Sequence, residues 1–196
     1  MSMGHRAFLF DTNKYHAEIE KIIETCCSSG EISLIKQYID GHIEEFSSPY
    51  TLEPLEQDWE QELENGDMQE YFDFLLTACY DCEDDIGLAE AWDAVNEVIK
   101  LLGFMVGAEK CVLGTAVSYH GTVVDPGRMG LGIVEAAEIS ELKEKLLENK
   151  EKLEDISVSE DQMYDLTQDE IYDAYNELCN IYKEAEKEGK GILFTF

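Results

Sequence analysis

A small group of polar residues lies within the stretch 111–134, which is otherwise apolar and rich in glycine. The group consists of Ser118, Tyr119, His120, Asp125 and Arg128. Histidine titrates near neutral pH, and a nearby aspartate can orient its ring as a general base. An arginine can hold a carboxylate or a phosphate. Three roles fit this group: a catalytic site, a contact with a ligand or partner, or hydrogen bonds that stabilise a loop.

The motifs that usually accompany catalysis or cofactor binding are missing from the sequence. The glycines of 127–132 lack the lysine and the Ser or Thr of a phosphate-binding loop, and neither a G-x-S-x-G nor an H-E-x-x-H motif occurs. We therefore assign no catalytic residue, cofactor or metal, and the sequence favours a protein that is not an enzyme. The residues predicted to contact a ligand or partner are Tyr119, His120, Asp125, Arg128 and Trp92. Trp92 lies in an apolar helical stripe, which favours packing in the core over ligand binding.

The six cysteines are candidate metal ligands. They include the pairs Cys26-Cys27 and Cys79-Tyr-Asp-Cys82. A single C-x-x-C without a second pair or nearby histidines is weak evidence for zinc. The sequence carries no export signal, so we expect reduced thiols that pack as small apolar side chains.

The acidic run Asp81, Glu83 and Asp85 resembles the first half of a calcium loop. The glycine that should follow, Gly87, comes one position late, and the last ligand position falls on Trp92 instead of a glutamate. We expect these acids to cap the helix that follows them.

The elements that position these residues are predicted from apolar periodicity. Strands are predicted at 6–10 and 192–196, so that both ends of the chain join one sheet. The uncharged segment 112–119 is rich in β-branched and small residues, which predicts an inner strand. Gly130 and Gly132 suit a bulge or a close approach of another backbone.

Amphipathic helices are predicted between these strands, because apolar residues recur every three or four positions. The predicted ranges are 14–26, 31–46 with an interruption at Gly41, 53–64, 67–78, 88–102, 135–156 and 167–188, the last opened by a capping box at Thr167 and Glu170. The sequence thus predicts a single α+β domain over 1–196. Its small mixed sheet includes both terminal strands, several amphipathic helices cover it, and 47–87 forms an acidic helical elaboration.

The formal net charge is −30, from 44 acidic and 14 basic residues. Between Gln37 and Ile99 there are 19 acidic residues and no lysine or arginine. Such a surface repels nucleic acid and attracts a basic protein. The alternative is that the charge only keeps the protein soluble. The sequence lacks an apolar run of about eighteen residues and a basic N-terminal leader, so we expect no membrane contact and a cytoplasmic location.

Three segments resemble a family of uncharacterised bacterial proteins called YfbM-like. Residues 88–103, with Ala-Trp-Asp and a final Leu-Leu-Gly, are similar to one helix of that family. Gly127-Arg128 ahead of 133–139 resembles its glycine-arginine turn, and 182–194 resembles its final helix, glycine and strand. The resemblance covers 88–196. It implies a single-domain α+β fold and no established activity.

The function we predict is binding. In this hypothesis the protein is partner-binding or immunity-type, and its acidic surface covers a basic protein. The alternative is a small-molecule-binding or hydrolytic site at the turn of His120, Asp125 and Arg128.

Overall fold

The structure, a computed structural model, describes residues 4–103, 107, 109–126, 130–156 and 166–196. The strands are β1 (Arg6–Phe10), β2 (Thr115–Ala116), β3 (Ser118–Tyr119), β4 (Thr122–Val123), β5 (Leu131–Val134) and β6 (Gly191–Thr195). The α-helices are α1 (Thr12–Lys14), α2 (Glu20–Ser29), α3 (Ser33–Gly41), α4 (Met68–Leu76), α5 (Trp92–Leu101), α6 (Lys110–Leu113), α7 (Ala136–Lys150) and α8 (Gln168–Glu188). A π-helical turn, Tyr15–Ile19, joins α1 to α2. Short 3₁₀ turns lie at Ile43–Glu45, Trp59–Glu62, Thr77–Cys79 and Glu151–Asp155.

The main sheet has the strand order β1-β6-β5-β2. Arg6 pairs with Thr195 and Val134 pairs with Ile192, so both predicted terminal strands lie in this sheet. The predicted α+β fold is therefore confirmed. Every strand pair in the described residues is antiparallel, where a mixed sheet was expected. Strands β3 and β4 form a separate hairpin.

The sheet is buried between two apolar layers, because side chains alternate between the faces of a strand. One face presents Ala7, Val134, Ile192 and Phe194 to a cluster that includes residues of α5, α7 and α8. The other face presents Phe8, Phe10, Ile133 and Leu193 to a cluster that includes residues of α2, α3 and α4. The helices therefore cover both faces.

Several helix boundaries follow from their caps. The Asp67 side chain accepts hydrogen bonds from the first turn of α4. Thr167 and Glu170 form the predicted capping box of α8, and Gly189 ends that helix with a left-handed φ of 65°. The helix predicted at 31–46 ends at Gly41 and continues as the 3₁₀ turn Ile43–Glu45.

The helix predicted at 53–64 is wrong, since only the 3₁₀ turn Trp59–Glu62 forms there. The segment leading to it is tied to the preceding loop instead: Ser47 bridges Pro54, and Leu55 N donates to Phe46 O. Trp59 is nevertheless buried, so the apolar periodicity identified core residues without a helix.

The single strand predicted at 112–119 is also wrong. Helix α6 extends to Leu113, and Gly114 reverses the chain with a φ of 69°. Only then do the short strands β2 and β3 follow. The close backbone approach predicted at Gly132 is present, because a Cβ added there would lie 1.9 Å from Leu113 O. A glycine is therefore required where α6 crosses β5.

The helix predicted at 88–102 begins at Trp92, because the residues before it pair with the start of β1. Ala89 forms an antiparallel bridge with His5. The buried His5 ring accepts from Leu88 N at Nδ1, so its Nε2–H donates to Val112 O at 2.7 Å. The acids at 81–85 do not cap α5, whose N-cap is Ala91. Asp85 instead accepts from Arg6 Nε and Ala7 N.

Candidate functional site

Tyr119 and His120 lie on the β3–β4 hairpin, but their side chains have different neighbours. The Tyr119 hydroxyl donates to Glu20 Oε1 at 2.8 Å. The side chain of His120 is 54% exposed, and its Nε2 lies 3.5 Å from Glu24 Oε1. His120 also has a φ of 53°, in the left-handed region, which suits the tip of a hairpin.

Asp125 holds its own loop. Its carboxylate accepts from Gly130 N at 2.7 Å, and its backbone N–H donates to the Gln69 side chain. Within the described residues, Asp125 and His120 share no hydrogen-bond partner. Arg128 lies outside the described residues.

Trp92 packs against the core, far in the chain from the hairpin. Its ring centroid lies 4.9 Å from that of Phe196 and 6.4 Å from that of His5. Trp92, Asp125 and the Tyr119–His120 pair therefore lie in three different environments.

An acidic recess lies beside the N-terminus of α4, and we call it the acidic cleft. It has a volume of about 630 Å³, and its lining includes Tyr50, Glu62, Glu64, Asp67 and Glu70. Tyr50 is 49% exposed, so an aromatic ring stands at the edge of these carboxylates. The described lining residues of this cleft include no lysine or arginine.

Several carboxylates of the acidic cleft are held in place by the chain itself. Glu70 accepts from the backbone N–H groups of Asn65 and Gly66, and Glu62 accepts from the Ser48 hydroxyl. Burial raises the pKa of Asp73 to about 6, and the hydroxyl of Tyr50, which lines the cleft, interacts with it. The cleft is therefore ordered without a cationic side chain from the described residues.

Basic residues neutralise only part of the acidic segment between Gln37 and Ile99. The ion pairs to its acids among the described residues are Lys14–Glu45, Lys36–Glu60, Arg6–Asp85 and Lys100–Glu97. In the described part of the chain, no lysine or arginine lies within ion-pair distance of Glu62, Glu64 or Glu70.

A second recess, which we call the His16 cleft, was not anticipated from the sequence. Its volume is about 380 Å³, and it lies among the π-helical turn, strands β2 and β3, and the first turn of α7. His16 Nδ1 lies 2.8 Å from Glu20 Oε2, and His16 Nε2 lies 3.0 Å from Glu135 Oε2. Both ring nitrogens face carboxylates and must donate to them. These hydrogen bonds raise the pKa of His16 and lower that of Glu20.

Two tyrosines continue this network. The Tyr119 hydroxyl donates its hydrogen bond to Glu20. In the hydrogen bond between the two tyrosines, the Tyr15 hydroxyl therefore donates to Tyr119 Oη, at 2.9 Å. Burial raises the pKa of Tyr15 to about 12, and burial also raises that of Tyr119. Both phenols are therefore neutral at physiological pH. The chain of hydrogen bonds runs from Tyr15 through Tyr119, Glu20 and His16 to Glu135.

The opposite wall of the His16 cleft carries Lys110 and Glu138. Lys110 Nζ donates to Glu138 Oε1 at 2.5 Å, and Glu138 Oε2 accepts from Glu135 N at 3.3 Å. Glu135 and Glu138 also form the capping box of α7. The same two glutamates therefore start a helix and line a cleft.

One local signal could have identified part of this cleft from the sequence. His16 and Glu20 are four residues apart, a spacing that places them side by side on a helix. The π-helical turn under them has no clear sequence pattern, although such turns occur frequently at functional sites. Glu135 is 119 positions from His16 and could be placed beside it only by the fold.

The cysteines of the described structure are free thiols, and all are buried except Cys27, which is half-buried. Burial raises the pKa of Cys79 and Cys111 to about 12 and that of Cys82 to about 11, so these thiols are unreactive at neutral pH. No group of three His, Cys, Asp or Glu side chains within the described ranges is arranged to hold a metal ion. The helices of the described ranges are too short or too polar to cross a membrane.

No family model matches this chain, and neither a curated protein nor a solved structure does. The chemistry of the acidic cleft and of the His16 cleft is therefore the evidence for function.

Proposed function

We propose that the protein binds a basic partner protein through the acidic cleft and the acidic surface around it. The observation that carries this proposal is a recess of about 630 Å³ lined by several carboxylates, with no lysine or arginine among its described lining residues. An arginine or lysine of a partner would pair with these carboxylates, and Tyr50 offers it an aromatic ring.

The charge of the whole chain supports the same proposal. A net charge of −30 creates a long-range field that speeds encounter with a cationic protein and repels nucleic acid. In this proposal the protein works without catalysis, as an immunity-type or similar protein that covers a basic surface in the cytoplasm. Membership of the YfbM-like family stays a prediction.

The proposal is tested by capture of partners from the native lysate at about 0.01 M and about 0.15 M ionic strength, where the Debye length is about 30 Å and about 8 Å. The expected partner is a basic protein whose association rate falls as salt increases. A purified complex then allows comparison of variants. The double variant E62Q/E64Q removes two charges from the acidic cleft and should weaken binding more than tenfold, by roughly 1.4 kcal/mol or more.

The matched control is E144Q/E148Q, which removes the same charge from exposed positions of α7 on the other face of the sheet. This control should change affinity only slightly. Equal losses of affinity in the two double variants would show that the acidic surface acts nonspecifically. Capture of no basic protein would contradict the proposal.

A further inference from the structure

The His16 cleft has the features of a small-molecule site that is separate from the acidic cleft. Its volume of about 380 Å³ falls at the small end of the range for ligand pockets. Its walls come from the π-helical turn and the start of α2, from Lys110 of α6, from β2, β3 and β5, and from the start of α7. Each wall is fixed by the network described above, so the polar groups are already positioned.

The hydrogen-bond donors of this cleft are largely occupied. Both N–H groups of His16 are directed to carboxylates, and the hydroxyl protons of Tyr119 and Tyr15 are directed to Glu20 and Tyr119. Lys110 has already donated one N–H to Glu138. Among the described lining residues, the side-chain donors left for a ligand are two N–H groups of Lys110 and the hydroxyls of Thr115 and Ser118.

Acceptors, in contrast, are in excess. The carboxylates of Glu20, Glu135 and Glu138 can each accept about four hydrogen bonds, which is more than the network supplies to them. Three carboxylates face two cations, His16 and Lys110, so the cleft also has a net negative charge. Open acceptors therefore outnumber open side-chain donors among the described lining residues, and they lie in a negative environment.

An anionic ligand is disfavoured for two further reasons. The N-terminus of α7, which would otherwise attract an anion, is occupied by the side chain of Glu135 through the capping box. The net charge of the chain also repels anions from every approach. We propose that the His16 cleft binds a small organic cation with a primary ammonium or guanidinium group, held by Glu20, Glu135 and the ring of Tyr119.

The test uses three four-carbon probes that differ in charge: 1,4-diaminobutane, butane-1,4-diol and butanedioate. Titrations are followed by NMR on the full chain at physiological ionic strength. The diamine should bind saturably and shift the resonances of residues 15–20 and 115–119, whereas the diol and the diacid should not. Shifts spread evenly over all acidic residues, or equal binding of diamine and diol, would overturn the proposal.

Variants localise the effect. E20Q removes one carboxylate of the cleft, and we expect about tenfold weaker diamine binding because a charge-assisted hydrogen bond is lost. E90Q removes the same charge from an exposed site on another part of the surface and should leave binding unchanged. E62Q/E64Q, in the acidic cleft, should leave the diamine-induced shifts of residues 15–20 and 115–119 unchanged, so this test is independent of partner binding. Thermal melts verify that each variant is folded, and equal weakening by E20Q and E90Q would contradict the assignment.

Discussion

The Nε2 atom of His16 lies 3.0 Å from Oε2 of Glu135, and this contact joins the π-helical turn to the N-cap of α7. The buried residues of the turn pack on one face of the sheet, and the buried residues of α7 pack on the other face. The contact therefore links two elements that pack on opposite faces of the sheet.

The first prediction concerns the protonation of His16. Hydrogen bonds to Glu20 and Glu135 raise its pKa above the ordinary value of 6.5. A raised histidine pKa adds stability below about pH 6.5 and loses it as the pH rises through the folded-state value. We expect NMR titration of the ring to give a pKa above 6.5 in the native protein and a lower one in E135Q. The variant E90Q should leave the titration unchanged, and an unaltered His16 pKa in E135Q would contradict the prediction.

The second prediction concerns Asp73, whose pKa burial raises to about 6. A carboxyl group with a raised pKa stabilises the fold while it is protonated, and this contribution is lost as the pH rises from about 4 through about 6. We expect D73N to be more stable than the native protein at pH 7.5 by up to about 3 kcal/mol, since about two pKa units separate the folded and unfolded values.

The measurement is urea denaturation of both proteins at pH 5 and at pH 7.5. The advantage of D73N should be larger at the higher pH. A difference between the two proteins that stays constant over this range would show that Asp73 does not titrate there.

The third prediction concerns Gly132. A methyl group at this position would lie 1.9 Å from Leu113 O, so the crossing of α6 over β5 would have to open. We expect G132A to lower the free energy of unfolding by about 2 to 3 kcal/mol, the upper part of the range for overpacking.

G41A is the matched control, because Gly41 ends α3 and a Cβ there meets nothing within 4 Å. That substitution should be neutral or stabilising by about 0.5 to 1 kcal/mol, since alanine favours a helix. Urea denaturation measures both changes, and a G132A protein as stable as the native one would contradict the packing described.

Much of the fold could be predicted from local patterns. The first strand and the last helix were located closely because the short, aromatic-rich run Arg6–Phe10 and the Thr167–Glu170 capping box are short-range signals. The helix predicted at 53–64 was wrong because the apolar spacing of this segment suits a helix, whereas the bridge of Ser47 to Pro54 fixes its backbone in another conformation. The strand predicted at 112–119 failed because Gly114 divides it between a helix and two short strands.

The functional residues were harder to predict. Tyr119 was identified from its place in a polar cluster, and the structure places it in the His16 cleft. Its partners Tyr15 and Glu20 are about a hundred positions away, and no pattern in one sequence connects them. The acidic segment was evident from composition, but the cleft depends on how the chain folds around α4.

The position of β6 has a consequence for synthesis. This strand lies between β1 and β5, although it follows every other strand in the chain. Until 191–195 has been synthesised, β1 and β5 lack the strand that joins them. The nascent chain therefore completes its main sheet only after the described helices have been made, and its high negative charge helps to prevent association with other chains during that interval.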